Sequence, residues 1–299
     1  MGFETKGIPV KFYGQFEPQV DNFIYSRYVK HNEFLSQAVC TFIECGAFDG
    51  VTESSCLFFE ESLGWTGYNI EASPTIYAEL IKNRPNTDNF NLALSDSIGE
   101  IEFTDVHHPS FPLCTNGSVS HTPEHVKILN EMNCEFTTCK TNKVTYREFI
   151  NENGITDITL MVLDIEGHEI QALKGFENVT VLPKIFCIEH GHLGVETLRE
   201  YVEPLGYIFD TTSHVNSYFL HESVYIDFLP SIIKSELDLI NTSSNIEEIE
   251  LLTRSIENKA MLLHENYKAK AKRVDSLMNS LSWRITKPLR FIVGLISKN

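Results

Sequence analysis

The apolar positions of this chain change period several times along its length, and each change marks an element. AVCTFIEC, over 38–45, is a nearly unbroken apolar run, the pattern of a parallel strand buried on both faces. GAFDG, over 46–50, brings two glycines for a tight turn. SSCLFFEESLG, over 54–64, spaces its apolar residues as a helix and stops at Gly64. TGYNIEAS (66–73) reads as a second strand, and PTIYAELIKNR (74–84) as a helix opened by Pro74. NFNLALSD (89–96), ITLMVLD (158–164) and KIFCIEH (184–190) follow as a third, fourth and fifth strand. YIFDTT (207–212) and VNSYFLH (215–221) predict a closing antiparallel pair. Strands alternating with helices predict an α/β, Rossmann-like domain whose mostly parallel sheet is covered on both faces.

Two stretches break this rhythm. Residues 105–143 hold three prolines, four histidines and three cysteines with little periodicity, which predicts an irregular insertion acting as a lid. Residues 230–281 contain no glycine, and their only proline is Pro230. Ile246, Ala260, Tyr267, Val274 and Leu281 occupy one heptad position, and Ile249, Ile256, Leu263 and Leu277 the other; Thr253 and Lys270 interrupt. That spacing predicts one long helix forming a coiled coil, with a homodimer as the simplest way to bury its stripe. The predicted organisation is a helical lead-in (1–38), an α/β domain (39–229), the long helix (230–281) and a basic tail (282–299).

Charge sharpens that division. Eight Lys/Arg against one acid give residues 268–299 a net of +7, so residues 1–267 carry −24 of the total −17. An acidic body repels a phosphate backbone, which argues against nucleic-acid binding. The seven cysteines (Cys40, Cys45, Cys56, Cys114, Cys134, Cys139 and Cys187) include no CxxC pair, and the first residues show no apolar signal-peptide core. A reducing cytoplasm is the expected setting.

In an open α/β sheet, ligands bind beyond the carboxyl ends of the strands. The first strand ends at Glu44 and turns through Gly46, Ala47, Asp49 and Gly50, an acid followed by GxxxG. The dinucleotide fingerprint GxGxxG is absent. Glu71, followed by Ala72, ends the second strand, where a carboxylate can accept from both hydroxyls of a ribose. Asp96, beside Ser95, ends the third, where an adenine amino group would lie. Glu44 and Asp49 suit the ammonium group of a cationic cofactor.

FIECGAFDG, YNIEASP, NLALSDSIGEIEF and above all LMVLDIEGHEIQALKGF followed by IFCIEH resemble the FkbM family of S-adenosylmethionine-dependent methyltransferases over about residues 40–220. The resemblance implies methyl transfer from S-adenosyl-L-methionine to a hydroxyl, often on a sugar or natural product. The chain departs from the family pattern at Glu44, where Asp is usual, and at Phe48, where Asn is frequent.

Asp164 ends the central strand, with His168 four residues on, and either is expected as general base. His190, after the fifth strand, is the next candidate, with Glu189 and His192 beside it. The alternative is a divalent ion on Asp164, Glu166 and His168. Glu166 and Glu169 also suit the start of a helix. The tail SLSWRITKPLRFIVGLISKN combines aromatic and aliphatic residues with cations only, as in an interfacial helix on anionic lipid. Its SWRITKPLR is similar to the ends of bacterial cell-surface polysaccharide enzymes. The expected activity is O-methylation of a surface-glycan hydroxyl at the inner membrane face. The alternatives are a small secondary metabolite as acceptor, or a non-catalytic scaffold.

Overall fold

The computed structural model describes residues 11–36, 38–110, 116–121, 123–191 and 193–279. The chain divides into two compact units, residues 1–225 and residues 226–299.

The first unit opens with a short helix, α1 (Val20–Ile24), that runs on as a π-helical turn over Tyr25–Val29. The pattern then follows as β1 (Thr41–Cys45), α2 (Leu57–Leu63), β2 (Thr66–Glu71), α3 (Pro74–Asn83) and β3 (Asp88–Asn91). Next come β4 (Ala93–Leu94), β5 (Gly99–His107), α4 (Pro123–Glu131), β6 (Glu135–Val144) and α5 (Tyr146–Glu152). The remaining elements are β7 (Leu160–Leu163), α6 (Glu169–Lys174), β8 (Ile185–Glu189), α7 (Val195–Val202), β9 (Tyr207–Ser213) and β10 (Asn216–His221).

Seven strands form the main sheet in the order β3-β2-β1-β7-β8-β10-β9. All neighbours are parallel except β10, which runs antiparallel to both β8 and β9. The order reverses between β1 and β7, which places the ligand crevice at their carboxyl ends. Helix ends follow local chemistry. Ser73 Oγ accepts from the Ile76 N–H at 3.2 Å to open α3, Thr145 does the same for α5, and Gly64 closes α2 with φ +67°. The core gathers Ile43, Met161, Leu163, Phe186 and Ile188 from the strands with Tyr146, Phe149 and Phe176, the first and last stacked 3.8 Å apart.

Three expectations needed correction. The third strand is broken at Leu92: β3 joins the main sheet, whereas β4 pairs with β6 in a separate three-stranded sheet. The 105–143 insertion is not irregular throughout. Gly99 to His107 pairs with Lys143 to Glu135 in a continuous antiparallel ladder, with α4 packed through Leu129 against Val106 and Cys134. Both strands are largely polar on both sides, so the alternation that reveals a half-buried strand is weak.

The third correction concerns the second unit, which holds most of α8 (Glu222–Thr242) and α9 (Ile246–Asn279). One helix over 230–281 was expected; it is two, broken at 243–245. Asn245 Oδ1 accepts from the N–H groups of Glu247 and Glu248, so a capping residue restarts the helix without glycine or proline. Among the described side chains of α9, Ile249, Leu252, Ile256, Lys259, Leu263 and Asn266 are half-buried at a spacing of three and four, with Ser255 beside them bonded to Glu236. One heptad position matches the sequence reading. The other is shifted by a residue, leaving Ile246, Ala260 and Tyr267 exposed. Lys259 takes a seam position because its ammonium reaches Glu236 of α8 at 2.8 Å. The tail over 282–299 and Leu281 lie outside the described residues.

Arg84 is the deepest cation of the first unit, 1% exposed. Its Nε donates to Glu60 at 2.5 Å, and its Nη1 donates to the Gly50 carbonyl at 3.0 Å and stands 3.5 Å from Glu44. Arg84→Met leaves the buried Glu44 and the half-buried Glu60 without their cation and is expected to lower unfolding free energy by about 3–5 kcal/mol. Arg147→Met, at an exposed pair with Glu148, is expected to cost less than about 1 kcal/mol. Urea denaturation of both variants measures the contrast, and equal losses would refute it.

Candidate active site

The crevice at the switch point is a cavity lined from every part of the first unit. β1 contributes Cys45 and the turn after it Gly46, Phe48, Thr52, Glu53 and Ser55; β2 contributes Ile70 and Glu71, followed by Ala72. Asp164, Ile165, Glu166 and His168 come from the turn after β7, and Glu189 ends β8. Asn216 of β10, Phe103 of β5, and Asn116, Gly117 and Val119 of the insertion complete one side.

Gly46 fixes the geometry. Its φ is +83°, and a Cβ there would stand 1.7 Å from the Asp164 carbonyl oxygen. No side chain fits, for conformational and steric reasons alike. The N–H groups of Gly46 and Ala47 both donate to the Ile70 carbonyl, at 3.0 and 3.1 Å, and the Asp164 N–H donates to the Cys45 carbonyl. The ends of β1, β2 and β7 are thereby locked together. Gly50 also has positive φ, but it serves packing: a Cβ would strike Arg84 and Leu80.

The cavity is acidic. Glu53, Glu71, Asp164, Glu166 and Glu189 line it, and no lysine or arginine stands among its described lining residues. Glu71 is 6% exposed and accepts backbone N–H bonds from Phe48 at 2.9 Å and Ser73 at 2.8 Å. Burial outweighs those bonds and pushes its carboxyl up to about 7. Asp164 and Glu189 both line this cavity. Burial first, and then repulsion among the neighbouring carboxylates, raises both well above the usual range, Glu189 further than Asp164. Carboxyls gathered without a cation are harder to ionise, so both acids hold their protons to higher pH than free carboxyls do. Glu53 is raised by burial and by the Glu166 carboxylate.

His168 is 4% exposed and bridges two segments. Its Nε2 lies 3.1 Å from Ser95 Oγ and its Nδ1 2.9 Å from Ser120 Oγ. Burial depresses it to about 4, so the ring is neutral at physiological pH. Ser118 adds a second tie, its Oγ donating to the Glu166 carbonyl at 2.7 Å. The insertion is therefore stapled onto the turn that presents Asp164. Glu169 is a turn clamp, its Oε1 accepting from the N–H groups of Ile165 and Gly167.

Gly46, Glu71, Ala72, Asp164 and His168 all meet at the cavity, as the sequence reading expects; Ala47, Asp49, Gly50, Ser95, Asp96 and Glu44 do not line it. Glu44 is 3% exposed and bound to Ser54 Oγ and the N–H groups of Ser55 and Cys56, where it holds the start of α2 rather than an ammonium group. Asp49 caps its own turn through the Val51 and Thr52 N–H groups. Asp96 is exposed, and Ser97 Oγ and Lys143 Nζ take its carboxylate. His190 is half-buried against Ser217 and lies outside the cavity lining. His192 lies outside the described residues. Both His168 nitrogens are occupied by serines, and among the described residues no three His, Cys, Asp or Glu side chains gather to hold a metal ion.

The sequence reading overlooked three contributors. Gln15 and Val20 of the lead-in line the cavity, held there as Arg27 pairs with Asp210 of β9 at 2.6 Å. Glu53 adopts φ +55°, uncommon for a non-glycine residue, and only backbone geometry reveals it. Phe103 belongs to the strand hidden in the insertion.

The methyltransferase FkbM domain matches residues 44–223, more than half of the chain. No curated protein sequence matches significantly. Among solved structures, the METTL16 methyltransferase domain is similar at 8% identity and TM-score 0.38, covering 68% of this chain and 66% of that one. A putative caffeoyl-CoA O-methyltransferase from Staphylococcus aureus shows 12% identity, coverage of 70% and 84%, and TM-score 0.37. Aeropyrum pernix fibrillarin with natively bound S-adenosyl-L-methionine shows 10% identity, coverage of 63% and 69%, and TM-score 0.35. The cofactor of this chain's domain is S-adenosylmethionine. A cavity rich in carboxyls and free of cationic lining suits its positive charge.

Two predictions follow from this geometry. A carboxyl raised on folding contributes stability that is complete below its ordinary value and is lost as pH rises through its folded value. For Glu71 that window runs from 4.5 to about 7, and Asp164 and Glu189 extend it upward. The ligand-free protein is expected to lose thermal stability across this window while affinity for the cationic cofactor increases. Calorimetry at stepped pH reads both trends, and a flat affinity would refute the second. Gly46→Ala is expected to abolish cofactor binding. Gly64→Ala, with φ +67° but open space, costs about 1–2 kcal/mol and leaves binding intact. Loss of binding in the Gly64 variant as well would remove the special status of Gly46.

Proposed function

Because the chain belongs to the FkbM methyltransferase family, we propose that it O-methylates a sugar hydroxyl of a surface glycan, with the Asp164–Glu189 pair receiving the proton. The observation that carries this reading is that Asp164 and Glu189 line one cavity that has no lysine or arginine among its described lining residues. When bound, S-adenosylmethionine supplies an activated methyl group. Glu71, at the end of β2, holds the ribose hydroxyls, and the Gly46 turn leaves room for the backbone to meet the cofactor closely.

An acceptor hydroxyl placed in line with that methyl group would receive it as the sulfonium is converted to a neutral thioether. The hydroxyl proton passes to Asp164, with Glu189 beside it in the cavity. A bound cation favours the ionised form of Asp164, which can then take that proton. His168, depressed to about 4, is a weak base and acts instead as the rivet between Ser95 and Ser120. In-line placement and exclusion of water supply the rest. The stapled insertion serves the second purpose.

Dimerisation through α9 and membrane contact through residues 282–299 extend the reading. Sedimentation velocity and liposome flotation of the full chain test those two parts. Methyl transfer from labelled cofactor to purified surface glycans tests the activity. Asp164→Asn is expected to lower turnover about 10²-fold or more. Glu189→Gln is expected to lower turnover less and, because a protonated Glu189 and a glutamine carry the same charge, to leave the alkaline rise of activity in place. Full activity in the Asp164 variant would move the base elsewhere, and a shifted pH profile in the Glu189 variant would show that Glu189 is ionised before the acceptor gives up its proton.

A further inference from the structure

S-adenosylmethionine carries one anionic group, the carboxylate of its methionine end, and the described lining of the cavity offers it no lysine or arginine. Its oxygens therefore need neutral donors. Thr52 spends its hydroxyl on Asp49 at 2.8 Å, and both nitrogens of His168 are held by serines. Two lining side chains keep a donor unspent. Ser55 is 7% exposed; its N–H goes to Glu44 at 2.6 Å, but its hydroxyl makes no hydrogen bond to a described residue. Asn216 is 2% exposed, and its Oδ1 accepts from the Cys187 thiol at 3.8 Å. That contact orients the amide, and Nδ2 has no partner among the described residues. Neither Ser55 Oγ nor Asn216 Nδ2 is sealed away, so the little surface these residues keep opens on the cavity they line.

The two donors stand over the same face of the sheet. Glu44, Val162, Cys187 and Tyr218 are in register across β1, β7, β8 and β10, so their side chains leave one face. Asn216 is two residues from Tyr218 in β10 and shares that face, and Ser55 is tied to it through Glu44. Asn216 also lies directly across the ladder from Glu189, at the carboxyl end of β8. Buried polar side chains are normally satisfied within the protein. Two that are nearly buried, share a face and hold a free donor toward one cavity mark a place for an anionic or carbonyl oxygen of the ligand.

We infer that Ser55 Oγ and Asn216 Nδ2 donate to the carboxylate of the cofactor's methionine end. The ammonium on the same carbon is left to the carboxyls of the cavity, so the zwitterionic end of the ligand is met by both kinds of group. Glu44, which the sequence reading sets against that ammonium, acts instead as a positioning residue that holds Ser55 in place from beneath. The inference rests on the cofactor of the family, and neither on the identity of the acceptor nor on the route of its proton. It also brings β10, the antiparallel strand of the sheet, into the cofactor site.

The test compares binding of S-adenosylhomocysteine and its decarboxylated analogue, S-adenosyl-3-thiopropylamine, to the full chain by calorimetry. Both ligands keep the base, the ribose, the sulfur and the ammonium; only the first carries the carboxylate. Coulomb attraction alone makes an acid-lined cavity favour the analogue, whose net charge is more positive. A preference for S-adenosylhomocysteine therefore requires donors for the carboxylate, and the parent protein is expected to show one of roughly 10- to 100-fold. Ser55→Ala is expected to lower that ratio about tenfold. Asn216→Asp keeps the acceptor for the Cys187 thiol but puts an acid in place of the donor, and is expected to reverse the preference. Thr52→Val, on the same turn, is expected to retain the parent's ratio, since its hydroxyl is already spent on Asp49. Each ratio compares two ligands on one protein, so partial unfolding of a variant cancels. A parent protein that favours the analogue, a Ser55 or Asn216 variant that keeps the parent's ratio, or a Thr52 variant that loses it overturns the assignment. If the two donors serve the acceptor instead, the ratio stays put while the KM for the glycan rises, and that result overturns it too.

Discussion

The carboxyl ends of β1 and β7 meet so closely that a single methyl group at residue 46 would stand 1.7 Å from the Asp164 carbonyl oxygen. Much of the site follows from that approach. It forces a left-handed turn at Gly46, which sends two successive N–H groups onto the Ile70 carbonyl and ties in β2. It sets Asp164 and Glu71 on one cavity from strands on either side of β1. The turn then has to be held, and the buried Glu44 does so from beneath, gathering Ser54, Ser55 and Cys56 at the start of α2. Arg84 closes the arrangement by joining Gly50, Glu44 and Glu60. The acid in the glycine-rich motif thus acts through the shape of the turn.

Electrostatics gives the cavity its second character. Buried carboxylates without cations raise their own protonation rather than remain charged. Glu71, Asp164 and Glu189 all respond in that direction, with burial as the main cause in each. The ligand-free site is therefore a store of unfavourable charge that a cationic ligand relieves. Binding of a cation and proton release from these acids are therefore linked. By contrast, Glu44 and Glu236 carry cations beside them. The acids left without cations are concentrated where the ligand goes.

Elements with strong periodicity were legible in the sequence. The parallel strands, the glycine turn and the acids at strand ends emerged from apolar runs and spacing, and the family model falls on the same stretch. Glu71 and Asp164 were found because a strand end fixes where a side chain points. Asp49 and Asp96 were misjudged for the opposite reason: each sits in a loop, where its own backbone or a nearby lysine competes for the carboxylate. Glu44 was misjudged because burial on the far side of a strand looks the same in sequence as exposure to a ligand. The β5–β6 pair was hidden by polar residues on both faces, and the break in the long helix by a cap made of serine and asparagine alone.

The weakly patterned segments nonetheless complete the site. The lead-in contributes Gln15 and Val20, and its anchorage depends on Arg27 meeting Asp210 nearly two hundred residues away. β5 contributes Phe103 and the insertion Asn116, Gly117 and Val119, riveted by Ser118 and Ser120 to the turn that carries Glu166 and His168. A side chain on the insertion therefore cannot move without loading the turn behind Asp164. This division explains how a common α/β sheet can keep one cofactor while its acceptor changes. The strand ends carry the residues on which the family model falls, whereas the attached hairpin and lead-in can vary in sequence as long as the serine rivets hold them to the same turn. On the reading proposed above, those least periodic surfaces are the ones that would select the acceptor.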